Sequence, residues 1–360
     1  MSKLLFSLNK FLFRITLIDK VLFTKHLSVM LKSGIPLDEA VISIRDQTKN
    51  TNFKEVLDDI VKELQNGQSL EKALSRHPKV FDKIYLSLVA VGEKSGSLEE
   101  NLEYLATQLR KSYEFNKRVS GAMLYPKLVL VSSLIMGGSM ALFVLPQLFD
   151  LFTSLDVALP LSTKILLFVA NLMKNYGFFI VGGIIILGVC FSLFIRTKVF
   201  KPKWHQVILS FPKFGELNQN VELTNICRNL GIMLKSGLTI ITALETQRDA
   251  TENLVYKDYL EKLRVAIDKG KKLSEEMISQ KFKYVPSIVP KMISVGEGTG
   301  KLDEVFIYLG DFFEEEVDDA TKNLSSTLEP ILLLVIGAVV AFMALAIISP
   351  IYQLTGGIKR

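Results

Sequence analysis

The sequence predicts an all-α protein: two duplicated cytoplasmic six-helix bundles plus three transmembrane helices. Three observations carry this. In the charged parts of the chain, apolar residues recur at i, i+3, i+4, and no alternating β-branched run with a hairpin turn occurs. Three runs long enough to span a bilayer, roughly 128–149, 176–195 and 331–352, contain no charged residue. And phrases recur at one offset: "LKSG" at 31 and 234, "GQSLEKAL" at 67 against "GKKLSEEM" at 270, and "VGEKSGSL" at 91 against "VGEGTGKL" at 295. The first two differ by 203 residues and the third by 204, as do Pro126 and Pro330, and Pro146 and Pro350. One added residue between about 277 and 295 reconciles the two offsets. The period is far too long for a solenoid, so one unit of ordinary domain size is used twice.

The elements follow in order. Residues 1–18 form an amphipathic segment in which Lys3, Lys10 and Arg14 share a helical face with Ser7. Such a helix suits the inner leaflet of a membrane or a face of its own domain, and both readings stay open. Bundle one, 19–127, reads as helices at 20–32, 37–48, 52–65, 69–76, 82–93 and 98–125. Gly34 is placed to end the first of these and Pro36 to open the second at its first position. Gly67 is placed to end the third, and Ser69 to cap the fourth. The sixth is expected to run on into the first span. An external segment, 150–175, separates spans one and two. Bundle two follows at 196–330, then span three and an external tail, 353–360. Pro146 and Pro350 fall near the outer ends of spans one and three, where proline kinks or ends a helix.

Charge sets the orientation. Arg110, Lys111, Lys117, Arg118 and Lys127 precede the first span, and Arg196, Lys198, Lys201 and Lys203 follow the second, against only Lys164 and Lys174 between them. Both bundles should therefore be cytoplasmic. The chain is 49% hydrophobic yet 22% charged, as expected for a membrane protein with large water-exposed parts. Its net charge of +6 is mostly this juxtamembrane bias and makes no case for nucleic acid.

The phrase "VGEGTGKL" at 295–302 raises the question of a phosphate loop. A Walker A loop needs a glycine five residues before its Gly-Lys and a hydroxyl after the lysine. Here those positions hold Val295 and Leu302, and the upstream stretch is not a buried strand. The matching phrase at 91–98 lacks the lysine altogether. Both phrases read better as a turn between two helices, with Gly96 and Gly300 taking the left-handed conformation. Ser97 with Glu100 would form a capping box, and Thr299 would cap the next helix in repeat two. The carboxylates Glu93, Glu99, Glu297 and Asp303 flank these turns. Capping and solvation account for them, since no EF-hand-like spacing accompanies them, and a hard cation is the other reading.

No cofactor, metal or catalytic residue is predicted. Cys190 and Cys227 make no framework, His26, His77 and His205 are far apart in sequence, and no Ser/His/Asp, HExxH or CxxC arrangement occurs. A transporter or channel-like protein, the alternative reading, would place ionisable groups mid-membrane. The spans instead carry glycines such as Gly137, Gly138, Gly182, Gly183 and Gly188, which suit close helix packing. Glu329, just before Pro330, is expected at the cytoplasmic edge of span three. Matched positions on the last helices of the two bundles reverse charge: Arg110 and Lys111 correspond to Glu314 and Glu315, with Glu316 beside them. These are two solvated faces or the places where the bundles meet, in one chain or across subunits.

The repeated "LKSGIPLDEA…VGEKSGSLEENL…YP" and "LKSGLTIITAL…VGEGTGKLDEVF…EP…PIYQL", with "LPLST" between them, resemble the type II secretion F (GspF/PilC) family over nearly the whole chain. The resemblance carries the family's motif positions to Gly34, Pro36, Gly92, Glu93, Gly96, Tyr125 and Pro126. In the second repeat it carries them to Gly296, Glu297, Gly300, Glu329, Pro330 and Pro350. Thr239 departs from it, standing where repeat one has proline, and little sequence precedes the first bundle. The resemblance implies a multi-pass protein of the bacterial inner membrane, a non-enzymatic homo-oligomeric platform of a type II secretion, type IV pilus or competence machine. The implied partners are an assembly ATPase, pilins or pseudopilins, other inner-membrane machine subunits and membrane lipid. A scaffold that needs no motion is a third reading.

Overall fold

The structure, a computed structural model, describes residues 15–139, 161–195, 197 and 200–357. The amphipathic segment expected at 1–18 lies almost wholly outside the described residues, as do the end of the first expected span and the start of the external segment. Every described element is helical, and no strand occurs among the described residues. The first repeat holds α1 (Leu17–Lys32), α2 (Leu37–Gln47), α3 (Thr51–Gln65), α4 (Leu70–Ser75), α5 (Lys83–Ser95) and α6 (Leu98–Ala122). Then come α7 (Leu124–Ser139), α8 (Leu161–Ile195) and α9 (Lys201–Ser210). The second repeat holds α10 (Phe214–Lys235), α11 (Ile240–Ala250), α12 (Leu254–Asp268), α13 (Leu273–Gln280), α14 (Ile288–Thr299) and α15 (Leu302–Gly357).

The repeats agree nearly residue for residue. α2 and α11, and α3 and α12, have the same bounds at an offset of 203, while α6 and α15 begin 204 apart. The added residue lies around the end of α13, where Lys281 adopts a left-handed backbone at φ 46°. Left-handed lysine is uncommon, so the insertion is absorbed at a local cost.

Local chemistry fixes the helix ends. Thr16 and Asp19 form a capping box that starts α1 three residues earlier than the apolar spacing implies. Gly34 follows α1 at φ 79° and Gly67 follows α3 at φ 76°. Pro36 sits at the N-cap of α2 rather than inside its first turn. Its counterpart Thr239 also sits at the N-cap and accepts from Thr242 N at 3.4 Å, so the departure from the family pattern adds a side-chain cap where Pro36 makes none. Ser69 caps α4 by accepting from Lys72 N at 3.2 Å.

Two expectations fail at the glycine turns. Thr299 is the last residue of α14, and its hydroxyl donates back to Val295 O at 2.8 Å instead of capping α15. The Ser97 hydroxyl, expected in a capping box with Glu100, lies 2.7 Å from that of Ser95.

Proline acts differently in the two repeats. α6 stops at Ala122, four residues before Pro126, where the ring opposes the i−4 carbonyl. The helix expected to continue unbroken is therefore interrupted at Met123. In repeat two, α15 runs through Pro330 and Pro350 to Gly357, so Pro350 does not end it. The segment expected as an external loop is helical from Leu161 onward.

Among the described residues, no helix is long and apolar enough to cross a membrane. The second and third expected spans fall on α8 and α15, where a number of side chains lie outside the described residues.

The described residues fall into two compact units. One joins both repeats, taking the chain up to Arg118 together with His205–Asp318. The other holds Val119–Trp204 and the chain from Asp319 onward. In the first, repeat one is centred on Phe23, Phe53, Phe81 and Tyr85, whose rings meet at 4.9–5.9 Å. The buried Tyr85 hydroxyl is satisfied by Thr24 Oγ1 at 2.9 Å. Repeat two is centred on Tyr256, Tyr259 and Phe282, with the Tyr256 hydroxyl donating to Tyr284 O at 2.8 Å. In the second unit, large apolar side chains stand exposed, among them Leu134 and Ile135 on α7, Phe179 and Leu187 on α8, and Leu333 and Leu334 on α15.

Candidate functional site

Two places gather the residues that the sequence singles out: the Val-Gly-Glu turns, and the face where the two bundles meet.

At each turn the glycine that follows the helix is left-handed, Gly96 at φ 71° and Gly300 at φ 70°. The glycine four residues earlier has a different reason. A Cβ on Gly92 would lie 2.9 Å from Leu98 Cα, and one on Gly296 would lie 3.0 Å from Val305 Cγ2. Each thus lets two consecutive helices, α5 and α6 or α14 and α15, close on one another. The glutamate between these glycines reaches back to an earlier helix. Glu93 accepts from Leu70 N at 2.5 Å and Glu71 N at 2.9 Å, the first free amides of α4. Glu297 accepts from Leu273 N at 2.6 Å and Ser274 N at 3.1 Å on α13, and from the Ser274 hydroxyl. An anion at a helix N-terminus is favoured by both the free amides and the helix dipole. These carboxylates are occupied by amides, and no group of side chains able to hold a metal ion occurs among the described residues.

The bundle face is built by close crossings. A Cβ on Gly231 would lie 2.8 Å from Ile307 N and one on Gly310 would lie 3.0 Å from Arg228 N, so α10 and α15 approach closely. Their counterparts in repeat one are the small residues Ser28 and Ala106, the former donating to Glu99 O at 3.0 Å. The close crossing sets Arg228, only 3% exposed, against the acidic face of α15. Arg228 pairs with Glu314, lies 3.7 Å from Asp311, and stacks its guanidinium 5.9 Å from the Phe115 ring of α6. Burial pushes Arg228 below the usual guanidinium range, and Asp311 opposes that. Its Nε and Nη1 are buried without a hydrogen-bond partner.

From repeat one, Arg118 pairs with Glu314 and, at 3.4 Å, with Asp318. Lys111 reaches Asp311 at 3.1 Å, Gln108 reaches Asn229 at 3.4 Å, and the Lys235 ammonium lies 5.1 Å from the centre of the Tyr104 ring. α5 packs on α10 and α11, with Lys83 donating to Asp249 at 2.5 Å.

Helical phase decides which of the reversed charges take part. Residues 111, 115 and 118 share one face of α6, and 311, 314 and 318 share one face of α15. Arg110 points elsewhere and pairs with Glu114 of its own helix at 3.0 Å. Glu315 and Glu316 are exposed and make no ion pair among the described residues. Of the five charges singled out from sequence, Lys111 and Glu314 thus lie in the contact and the other three outside it. Arg118, Arg228 and Asp311 were missed. Arg228 leaves a trace in the sequence, as a lone cation within the apolar run "NICRNLGIML".

The remaining positions carry less. Tyr125 is exposed on α7, and Pro330 is exposed on α15. Pro126, Glu329 and Pro350 lie within helices, but their side chains are outside the described residues. Two other polar groups have local roles: His205 Nδ1 accepts from Leu254 N at 3.0 Å, and burial pushes the Cys227 thiol up to about 12. Near that helix start, burial and the neighbouring Glu252 raise the Glu222 carboxyl to about 7, against a hydrogen bond from Asn253.

Comparison with known proteins also finds two related parts in the chain. The family model for the type II secretion system (T2SS), protein F, matches twice, at residues 23–146 and 226–350. The chain belongs to this family. It is similar to a type IV pilus assembly protein, PilC, of Myxococcus xanthus, at 31% identity over 95% of this chain and 81% of the relative. The PilC of Pseudomonas aeruginosa is 30% identical over 93% of this chain and 90% of its own length. A type II secretion system protein F of Xanthomonas campestris is 29% identical over 94% and 83%. The two family matches support the duplication read from the repeated phrases. Members of this T2SS protein F family are inner-membrane proteins and generally non-enzymatic platforms.

Proposed function

We propose that this chain is an inner-membrane platform protein that couples a cytoplasmic assembly ATPase to the extraction and polymerisation of pilins or pseudopilins. The observation that carries the reading is the double family match, with relatives of both pilus-assembly and secretion names covering most of the chain. On this reading the chain crosses the membrane three times, at 128–149, 176–195 and 331–352, with both bundles cytoplasmic. Uncharged runs of about 20 residues and the exposed apolar side chains of α7, α8 and α15 support that placement. The bundles would receive motion from the ATPase, and α15, helical from the turn at Gly300 to Gly357, would carry it toward the spans. A pilin would then be levered from the bilayer into the filament.

The test is a pull-down of a tagged copy from detergent-solubilised membranes, with mass spectrometry of what accompanies it. Recovery of an assembly ATPase and pilin-like proteins is the expected result. Recovery of neither, while the protein stays oligomeric, would overturn the platform reading and turn attention to transport.

A further inference from the structure

The two bundles do not pack as equals. Counterpart positions in the last helices differ by 204, so Asp311 corresponds to Thr107 and Glu314 to Arg110. Lys111 reaches Asp311, a shift of 111 − 107, or four positions, and Arg118 reaches Glu314, a shift of 118 − 110, or eight. A twofold pairing of parallel helices would bring counterparts level. Here the shift runs the same way both times, so the contact is head-to-tail, with different faces on the two sides. Each bundle therefore keeps the face that its counterpart uses: α1 and α2 in repeat one, α14 and α15 in repeat two.

Those free faces carry counterparts of the contact residues. Lys235 lies over Tyr104; the counterparts are Lys32 and Tyr308, and Tyr308 is 56% exposed. Arg228 and Lys111 line one cleft; the counterparts are Lys25 and Glu315, both exposed and now opposite in charge. The half-buried Ile232 corresponds to Val29, which is 49% exposed. Lys83 pairs with Asp249; the counterparts are Ser287 and Asp46, and the exposed Lys291, one turn past Ser287, supplies the cation. Among the described residues, the ion pairs of Lys25 and Lys32 are both to the half-buried Glu103, a weak tether, and Lys32 stands at the rim where this face meets the cleft between the bundles.

We propose that a second copy of this chain docks here. α14 and α15 of one copy, through Lys291, Tyr308 and Glu315, seat on α1 and α2 of the next, through Lys25, Val29, Lys32 and Asp46. The contact continues between chains the packing that joins the bundles within one chain, and its charges are complementary. Being head-to-tail, it builds a closed ring or an open row. The proposal rests on the reading of the chain as one subunit of an oligomer.

The test uses the full chain in detergent at low salt. Lys25→Glu alone, and Glu315→Lys alone, should each weaken self-association by about fivefold or more. In an equal mixture every junction between unlike chains again pairs opposite charges, so association should return to close to the original affinity with the two variants alternating. Unchanged association of either variant overturns this surface, as does a mixture that stays apart while circular dichroism shows both variants folded. If a variant misfolds, chains carrying Lys32→Cys and chains carrying Tyr308→Cys, mixed, should crosslink through a short thiol reagent, and no crosslink above that of either alone would overturn the surface. A monomeric unsubstituted chain would overturn the oligomer as well, whereas loss of ATPase or pilin capture with association intact would sink only the platform reading.

Discussion

Glu93 and Glu297 occupy matched positions, but their helices depend on them unequally. At α4, Glu93 takes the amides of Leu70 and Glu71 while Ser69 takes that of Lys72, so three free amides are satisfied by two side chains. At α13 the N-cap is Lys272, which makes no side-chain cap, and Glu297 alone takes the first two amides. Loss of a cap costs about 0.5–2 kcal/mol. Glu297→Ala should therefore lower the melting temperature more than Glu93→Ala, and the glutamine variants, which keep an acceptor, should recover part of each loss. Equal effects would mean that Ser69 adds nothing at α4. The sequence pointed to both glutamates through the repeated phrase, yet not to what they touch. Their partners lie 22 to 24 residues back, on a helix whose approach is a tertiary fact that no local spacing encodes.

Between elements, the informative residues are the glycines four positions before each turn. Alanine in place of a helical glycine gains roughly 1 kcal/mol of intrinsic helix propensity. Against that stands the clash, about 1–3 kcal/mol where a packed neighbour cannot move. At Gly92 the neighbour is the backbone of Leu98, at 2.9 Å, so Gly92→Ala should destabilise. At Gly296 the neighbours are side-chain atoms, Val305 Cγ2 at 3.0 Å and Leu302 Cδ2 and Val305 Cβ at 3.2 Å, which need give by only a few tenths of an ångström, so Gly296→Ala should cost less than Gly92→Ala and come out near neutral. Thermal melts of the two variants side by side decide it; a Gly92→Ala protein as stable as the Gly296→Ala one would mean that α5 and α6 part without cost. Helix order and bounds were legible at this scale because amphipathic spacing and caps are local. The break at Met123 and the unbroken α15 were not, since the same proline offset gave opposite outcomes in the two repeats.

Across the whole molecule, one of the contacts that join the two repeats is a small charge network centred on Glu314. It binds Arg118 from one bundle and Arg228 from the other, and Arg228 is buried with two nitrogens already unpartnered. Removing one partner of a buried ion pair costs about 3–5 kcal/mol, because the other charge is left without compensation in a poorly polarisable setting. Its sequence neighbour Glu315 is exposed and makes no ion pair among the described residues, so its removal should stay within about 0.5 kcal/mol. Glu314→Ala should thus lower the melting temperature strongly and open the joint between bundles to limited proteolysis, while Glu315→Ala leaves both unchanged and weakens only association between chains. The two residues are adjacent and chemically identical, so the contrast isolates position from charge. Were Glu314→Ala as stable as the unsubstituted chain, Asp311, 3.7 Å from Arg228, would have to carry the buried guanidinium by itself, and the bundles would be held by the packing of α5 on α10 and α11 more than by charge.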